Sequence, residues 1–298
     1  MREIFATAAA WLEEQRPFAL ATLTALRAAQ TAPIGTTIAV DRDGTIVGNI
    51  GAGCYETEIV EAALQTALDG EVRRLNINLD ADDELMGGTA CGAVMQLIVW
   101  RPDSAFARDA RAIVLGEHSV RLAIEGFTYV FAPKPLLLLV GATALAQDIA
   151  AIARRADFRI VVVDPRPSFA TSERIPDAHA IVRSWPDDYL PGVLTEDASI
   201  VVLSHDPKFD IPALSCALRS PASYIGLLGS RRAQAARRGS VRAMGFAESA
   251  IARIHGPVGL DIGGATTAET AISILAEIVA VRSGHNGSPL LARSGSIH

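Results

Sequence analysis

The chain has 298 residues, half of them apolar and a fifth charged, with a formal net charge of −6. This composition describes an ordered two-domain protein, and an acidic balance without a long Lys/Arg run argues against a nucleic-acid partner. Three cysteines are too few for a disulfide framework and suit a reducing compartment, so a cytoplasmic location is expected.

The opening stretch MREIFATAAAWLEEQ carries charges on both sides of its apolar residues and lacks a signal-peptide core. The most apolar run, PLLLLVGATALA at 135–146, is too short to cross a bilayer, so no membrane association is expected. FALATLTAL (18–26) and TTIAVDRDGTIVGNI (36–50) read as strands, the second broken by a hairpin signal at Asp43-Gly44. From Cys54 to Leu68, Ile59, Val60, Ala63, Leu64, Ala67 and Leu68 recur at helical spacing, with Gly70 as the stop. EVRRLNINL (71–79) and AVMQLIVW (93–100) read as strands flanking the acidic, glycine-rich loop DADDELMGGTACG. Residues 103–116 read as a helix, and 118–131 as a strand pair around Gly126.

Composition changes at APKP (132–135), and from there strand and helix patterns alternate as in βαβ units. LLLLV (136–140), FRIVVVD (158–164), SIVVLS (199–204) and SYIGLLG (223–229) read as buried strands. Helices are predicted over 145–156, 230–244 and 267–282, and the Gly/Ser-rich residues 284–298 as a disordered tail. The expected fold class is α/β: an N-terminal mixed α+β domain over 1–132, then a Rossmann-like parallel-sheet domain over 133–283.

Candidate chemistry sits at strand ends. In VGATALA, Gly141 and Ala146 fit the first and last positions of a dinucleotide fingerprint. Thr143 occupies the middle glycine's place, where a β-branched side chain should obstruct a pyrophosphate. Asp164 ends the next strand, where a carboxylate would bind ribose hydroxyls. Ser230 reads as a helix N-cap with Arg231 behind it, an anion site, and Arg238 and Arg242 extend one basic stripe. His205 and Asp206 follow a buried strand and could act as an acid/base pair or close a loop. No serine motif of the G-x-S-x-G type and no zinc-ligand spacing accompanies them. Cys54, in GNIGAGCYETE, follows Gly51 and Gly53 at a helix start that favours a thiolate, while a packing cysteine in a tight turn is the equal alternative.

Taken together, DGTIVGNIGAGCYE (43–56), ACGA around Cys91, YIGLLGSRR (224–232) and IHGPVGLDIGGATTAETAISILAEIVAVR (254–282) resemble the XdhC/CoxI family. These are accessory factors of xanthine dehydrogenase and carbon monoxide dehydrogenase, and the resemblance covers nearly the whole chain. It implies a carrier without turnover that binds the molybdenum cofactor (molybdopterin), protects it during sulfuration and delivers it to an apo-molybdenum hydroxylase. A cysteine desulfurase as a further partner and a homodimeric state go with that role. The resemblance makes Gly51, Gly53, Cys54, Glu56 and Cys91 cofactor-associated, with Cys54 contacting molybdenum or its sulfur. Four motifs depart from the family pattern: GGGC is Gly51-Ala52-Gly53-Cys54, CGG is Cys91-Gly92-Ala93, GAGH is GATA (141–144), and GSxPRxxG is AQTAPIGT, keeping Pro33 and Gly35. The alternative is an NAD(P)-dependent oxidoreductase with Asp164 on the ribose and His205 and Asp206 near the reacting carbon. A third reading is thiol redox chemistry through Cys54 and Cys91.

Overall fold

The computed structural model of the chain describes residues 2–27, 33–50, 56–78 and 94–292. It divides into two compact units, the first ending at Pro133 and the second beginning at Lys134.

The first unit is built on an antiparallel sheet of β1 (Phe18–Arg27), β2 (Thr37–Asp41), β3 (Ile46–Val47), β4 (Arg73–Asn78) and β5 (Val94–Trp100), in the order β3-β2-β1-β5-β4. Strand periodicity sends alternate β1 side chains to opposite faces, and helices cover both. Ala19, Ala21 and Leu23 meet α2 (Glu56–Asp69) through Ile59, Ala62, Ala63 and Ala67, where small residues on both sides let helix and sheet approach closely. Phe18 and Leu20 face α1 (Arg2–Glu13), α3 (Phe106–Leu115) and the hairpin β6 (Val120–Ile124)–β7 (Phe127–Phe131). The opening stretch is therefore a helix. Ile4, Phe5, Ala8 and Trp11 share its buried face, and Phe5 meets Phe131 edge-on at 5.1 Å.

The predicted Asp43-Gly44 turn joins β2 to β3. Gly44 takes the left-handed conformation at φ 82°, and the Asp41 carboxylate accepts the N–H groups of Asp43 (2.9 Å) and Thr45 (2.8 Å). The register pairs Arg27 and Asn78 with Val94, so β1 and β4 leave the sheet where β5 enters. β3 leaves at Val47, towards that same end.

The second unit carries a six-stranded parallel sheet in the order β10-β9-β8-β11-β12-β13. Its strands are β8 (Leu136–Val140), β9 (Arg159–Val163), β10 (Ala180–Val182), β11 (Ser199–Val202), β12 (Tyr224–Leu227) and β13 (Ile254–His255). The helices are α4 (Ala144–Arg155), α5 (Pro186–Tyr189), α6 (Pro207–Arg219), α7 (Arg231–Ala243), α8 (Glu248–Ile251) and α9 (Thr267–Arg282). Chain order reverses between β8 and β11, the topological switch point of a Rossmann-like sheet. Leu137, Leu139 and Val201 pack against Ile149 of α4 and Ile274 of α9. Leu138, Val140 and Ile200 pack against Leu214 of α6 and Val241 of α7 on the other face. Burial on both faces explains why the central strands read as unbroken apolar runs. After α9, residues 284–292 end in a 3-10 turn at Leu290–Ala292, and 293–298 lie outside the described residues. Among the described residues, no helix is long and apolar enough to cross a membrane.

Candidate functional site

The carboxyl edge of the parallel sheet collects most of the residues singled out by sequence. Backbone pairing continues past the strands: Gly141 N–H bonds Val163 O, Leu203 N–H bonds Val140 O, and Leu228 N–H bonds Val202 O, each at 2.9 Å. The turns after β8, β9, β11 and β12 therefore share one edge, where open α/β sheets bind ligands. Gly141 (φ 107°) is required there, because a Cβ would also lie 3.2 Å from the Ser204 nitrogen across the switch point.

Asp164 is 2 % exposed, and both of its oxygens are occupied. Oδ2 accepts the Ala142 N–H at 2.8 Å and Arg166 Nη2 at 2.7 Å, while Oδ1 accepts the Arg166 N–H and Nε, both at 2.9 Å. Burial pushes this carboxyl's pKa up, but the Arg166 guanidinium and the two N–H groups outweigh it and hold the pKa below the ordinary value. Arg166 lies over the Phe169 ring at 4.2 Å, which fixes the plane of its fork. A ribose would have to displace this arginine. Thr143 is the N-cap of α4, its hydroxyl accepting the Ala146 N–H at 3.2 Å.

Of the His205 and Asp206 pair, Asp206 is the N-cap of α6 and accepts the Lys208 N–H at 3.0 Å. His205 is exposed. The structure places them on the candidate edge with Asp206 in a capping role.

At the end of β12, Ser230 caps α7 by accepting the Ala233 N–H at 3.3 Å, and Arg231 is exposed on its first turn. The rest of the predicted stripe is bound elsewhere: Arg238 donates to the carbonyls of Ile251 and Ile254, and Arg242 pairs with Glu248. Sequence reasoning missed the buried face of this helix, Gln234, Arg237 and Val241. Gln234 Nε2 donates to Leu227 O at 2.6 Å, and its Oε1 would lie 2.2 Å from a Cβ at position 256, so a side chain there would have to displace the Gln234 amide. Arg237 donates through Nε to Asp210 Oδ2 at 2.5 Å, with Nη2 also at 2.5 Å. The i, i+3, i+7 spacing of Gln234, Arg237 and Val241 was the available signal.

A second missed cluster anchors the long motif at 254–282. Glu277 of α9 accepts the Tyr224 hydroxyl at 2.5 Å and the Gly259 N–H at 2.7 Å, and lies 3.2 Å from His255 Nδ1. Burial raises the Glu277 pKa, but the bonds from His255, Tyr224 and Gly259 bring it below its ordinary value. Burial, and then Glu277 itself, push the Tyr224 phenol far above its usual range. Tyr224 stacks on His255 with centroids 4.5 Å apart. This cluster ties the loop after β13 to the sheet.

In the first unit, Glu56 is the first residue of α2, while Gly51, Gly53, Cys54 and Cys91 lie outside the described residues. The described residues that flank those segments, Val47, Asn78 and Val94, lie towards one end of the sheet. Gly35, retained from the family pattern, takes φ 88°, and a Cβ there would fall 2.7 Å from the Tyr129 ring. Among the described residues, no group of three or more His, Cys, Asp or Glu side chains is placed to hold a metal ion.

Comparison with known proteins agrees with this architecture. A family model described as the XdhC Rossmann domain matches residues 137–278, and one described as the XdhC and CoxI family matches residues 11–78. The chain is 30 % identical to YqeB of Escherichia coli over 289 residues, 97 % of this chain and 48 % of that protein, so it spans about half of that relative's length. It is 23 % identical to PaoD of the same organism, a molybdenum cofactor insertion chaperone by name, over 88 % of this chain and 83 % of that protein. A solved structure titled as a xanthine dehydrogenase from Bacillus halodurans covers 98 % of both chains at 22 % identity, with a TM-score of 0.79, and shares the fold. With both family models matched in chain order, over residues 11–78 and 137–278, the chain belongs to the XdhC and CoxI family.

Proposed function

We propose that the protein is a maturation factor that binds the molybdenum cofactor and delivers it to an apo-molybdenum hydroxylase of the xanthine dehydrogenase or carbon monoxide dehydrogenase type. The observation that carries this reading is the match to both family models, joined to the similarity with PaoD along most of both chains. At the sheet edge both oxygens of Asp164 are taken by donors, and Asp206 caps a helix through Oδ1, which counts against the ribose and acid/base roles of the oxidoreductase alternative. The strand order favours the NAD(P)-dependent alternative, but the occupied Asp164 counts against it.

Gly51, Gly53, Cys54, Glu56 and Cys91 are assigned to cofactor binding, with Cys54 alone contacting molybdenum or its sulfur. Cys54 precedes α2 by two residues in sequence, and a soft thiolate there would suit molybdenum and its terminal sulfur. The cofactor, when bound, supplies the metal; the chain would supply the Cys54 thiol and the N-terminus of α2. A cysteine desulfurase as sulfur donor and a homodimeric state complete the proposal.

The test is Cys54→Ser, with the protein purified from a molybdenum-replete host and analysed for metal and pterin. It should keep its thermal unfolding while losing most of its cofactor and its ability to activate a client. Cys216→Ser is the control, because that half-buried thiol sits late in α6, and burial and then Asp187 push its pKa up, which disfavours the thiolate. Cys91→Ser should fall between the two. Full cofactor content in Cys54→Ser, or its unfolding, makes Cys54 a packing residue and removes the assignment.

A further inference from the structure

Arg237 is 8 % exposed, yet only one side of its guanidinium is used. Nε and Nη2 face Asp210 Oδ2, while Nη1 has no hydrogen-bond partner among the described residues. Nη1 lies 3.4 Å from where a Cβ on Gly229 would stand. Gly229 (φ 131°) is the residue before the α7 N-cap, so the guanidinium lies beside the first turn of that helix. The helix leaves the N–H groups of Arg231 and Arg232 without intrahelical partners, while Ser230 takes that of Ala233. A positive helix end and a buried guanidinium with a free N–H edge thus converge beside one glycine turn.

We propose that the Gly229–Ser230 turn, backed by Arg237, is an oxyanion site that takes the phosphate of a phosphomonoester. Arg237 supplies charge-assisted donors through Nη1, and the first-turn N–H groups of α7 supply the rest. Asp210 holds the guanidinium from the opposite edge and opposes the incoming charge. Exposed Arg231 and Arg232 draw anions towards the turn. The turn at β8 does not compete: Thr143 caps α4 as Ser230 caps α7, but the buried charge beside it is the Asp164 carboxylate, which takes the Ala142 N–H and repels an anion. The site goes beyond the cofactor reading and stands or falls on phosphate alone.

Titration of the full chain with inorganic phosphate, followed by calorimetry and by the backbone amide signals of residues 230–233, tests it. Saturable binding that weakens with added salt is expected. Arg237→Lys keeps a cation for Asp210 but loses the fork, and should weaken phosphate about tenfold or more. Asp210→Asn removes the opposing charge and should tighten it. Arg242→Ala, on a residue already paired with Glu248, should change nothing. The double variant Asp210→Asn/Arg237→Gln, which leaves no buried charge, should bind as poorly as Arg237→Lys. Absence of saturable binding, or equal affinity in folded Arg237→Lys and Arg242→Ala, overturns the site. Phosphate that competes with cofactor loading identifies the cofactor's own phosphate as the ligand; loading that ignores phosphate points to a separate phosphomonoester. Phosphate binding that survives in a chain unable to load cofactor would sink the maturation reading and spare the site.

Discussion

Asp164 and Asp210 are both buried carboxylates in the second unit, each facing an arginine, and their pKa values move in opposite directions. Asp164 receives four donors, two per oxygen, and two of them are backbone N–H groups. Asp210 receives both arginine contacts on Oδ2, while Oδ1 has no hydrogen-bond partner among the described residues. Burial raises the Asp210 pKa by more than Arg237, Ser204 and His205 lower it, and the net direction is up. An opposite charge alone does not decide which form a buried carboxyl favours. The count and placement of donors do.

The largest effect expected from this contrast is on stability. Arg237→Ala leaves Asp210 buried without its cation and should cost about 3–5 kcal/mol, read from urea unfolding. Replacing the pair together, Asp210→Leu/Arg237→Met, should recover most of that loss, because the ions also give up their desolvation cost. Arg166→Ala should cost only about 1–2 kcal/mol, since Asp164 keeps both backbone donors and the lost side chain is partly solvated. Equal losses from the two alanine variants would erase the distinction.

The contrast also marks where sequence reading stops. Apolar runs of four or five residues reveal the central strands, and Asp43-Gly44 reveals the hairpin, because backbone sterics and burial act locally there. The three-residue β10 and two-residue β13 offer no periodicity to read, and only their neighbours' open edges recruit them. The place of Asp164 at a strand end is legible, but its occupant is not. The carboxylate is filled by Arg166, two residues on, which only the bend after β9 brings back onto it. Arg237 and Glu277 escape notice because charged residues on helices are ordinarily assigned to solvent. Their partners Asp210 and Tyr224 are 27 and 53 residues away, so no local pattern announces them. In the first unit, the opening stretch yields a targeting argument and no helix, although Phe5, Ala8 and Trp11 share one helical face.

A smaller effect separates the two carboxylates by pH. Asp164 has a native pKa below its unfolded value of about 3.9, so its contribution is full above that pH and is lost as pH falls through the native value. Asp210 has a native pKa above its unfolded value, so its ionised form costs stability at neutral pH. That cost disappears as pH falls through the native value towards the unfolded one. Urea unfolding should therefore show wild type gaining on Asp210→Asn as pH drops from about 7 towards about 4. Against Asp164→Asn, wild type should keep its advantage across that range and surrender it only in stronger acid. Parallel pH profiles would mean that the two sites are solvated alike.

The smallest stability change tests whether Asp164 or Thr143 closes the nucleotide crevice. By sequence Thr143 is the obstruction, and Thr143→Gly should then open the site to a dinucleotide. In the structure the hydroxyl caps α4, and glycine is itself tolerated at an N-cap, so the substitution should cost only a few tenths of a kcal/mol. It leaves Arg166 on Asp164, so calorimetry should detect no NAD or NADP binding by either wild type or Thr143→Gly. Adding Arg166→Ala frees acceptor positions on both carboxylate oxygens, and only that double variant should acquire weak affinity. Micromolar binding by Thr143→Gly alone would show that the Asp164–Arg166 pair yields to a ribose, and it would return the oxidoreductase reading to contention.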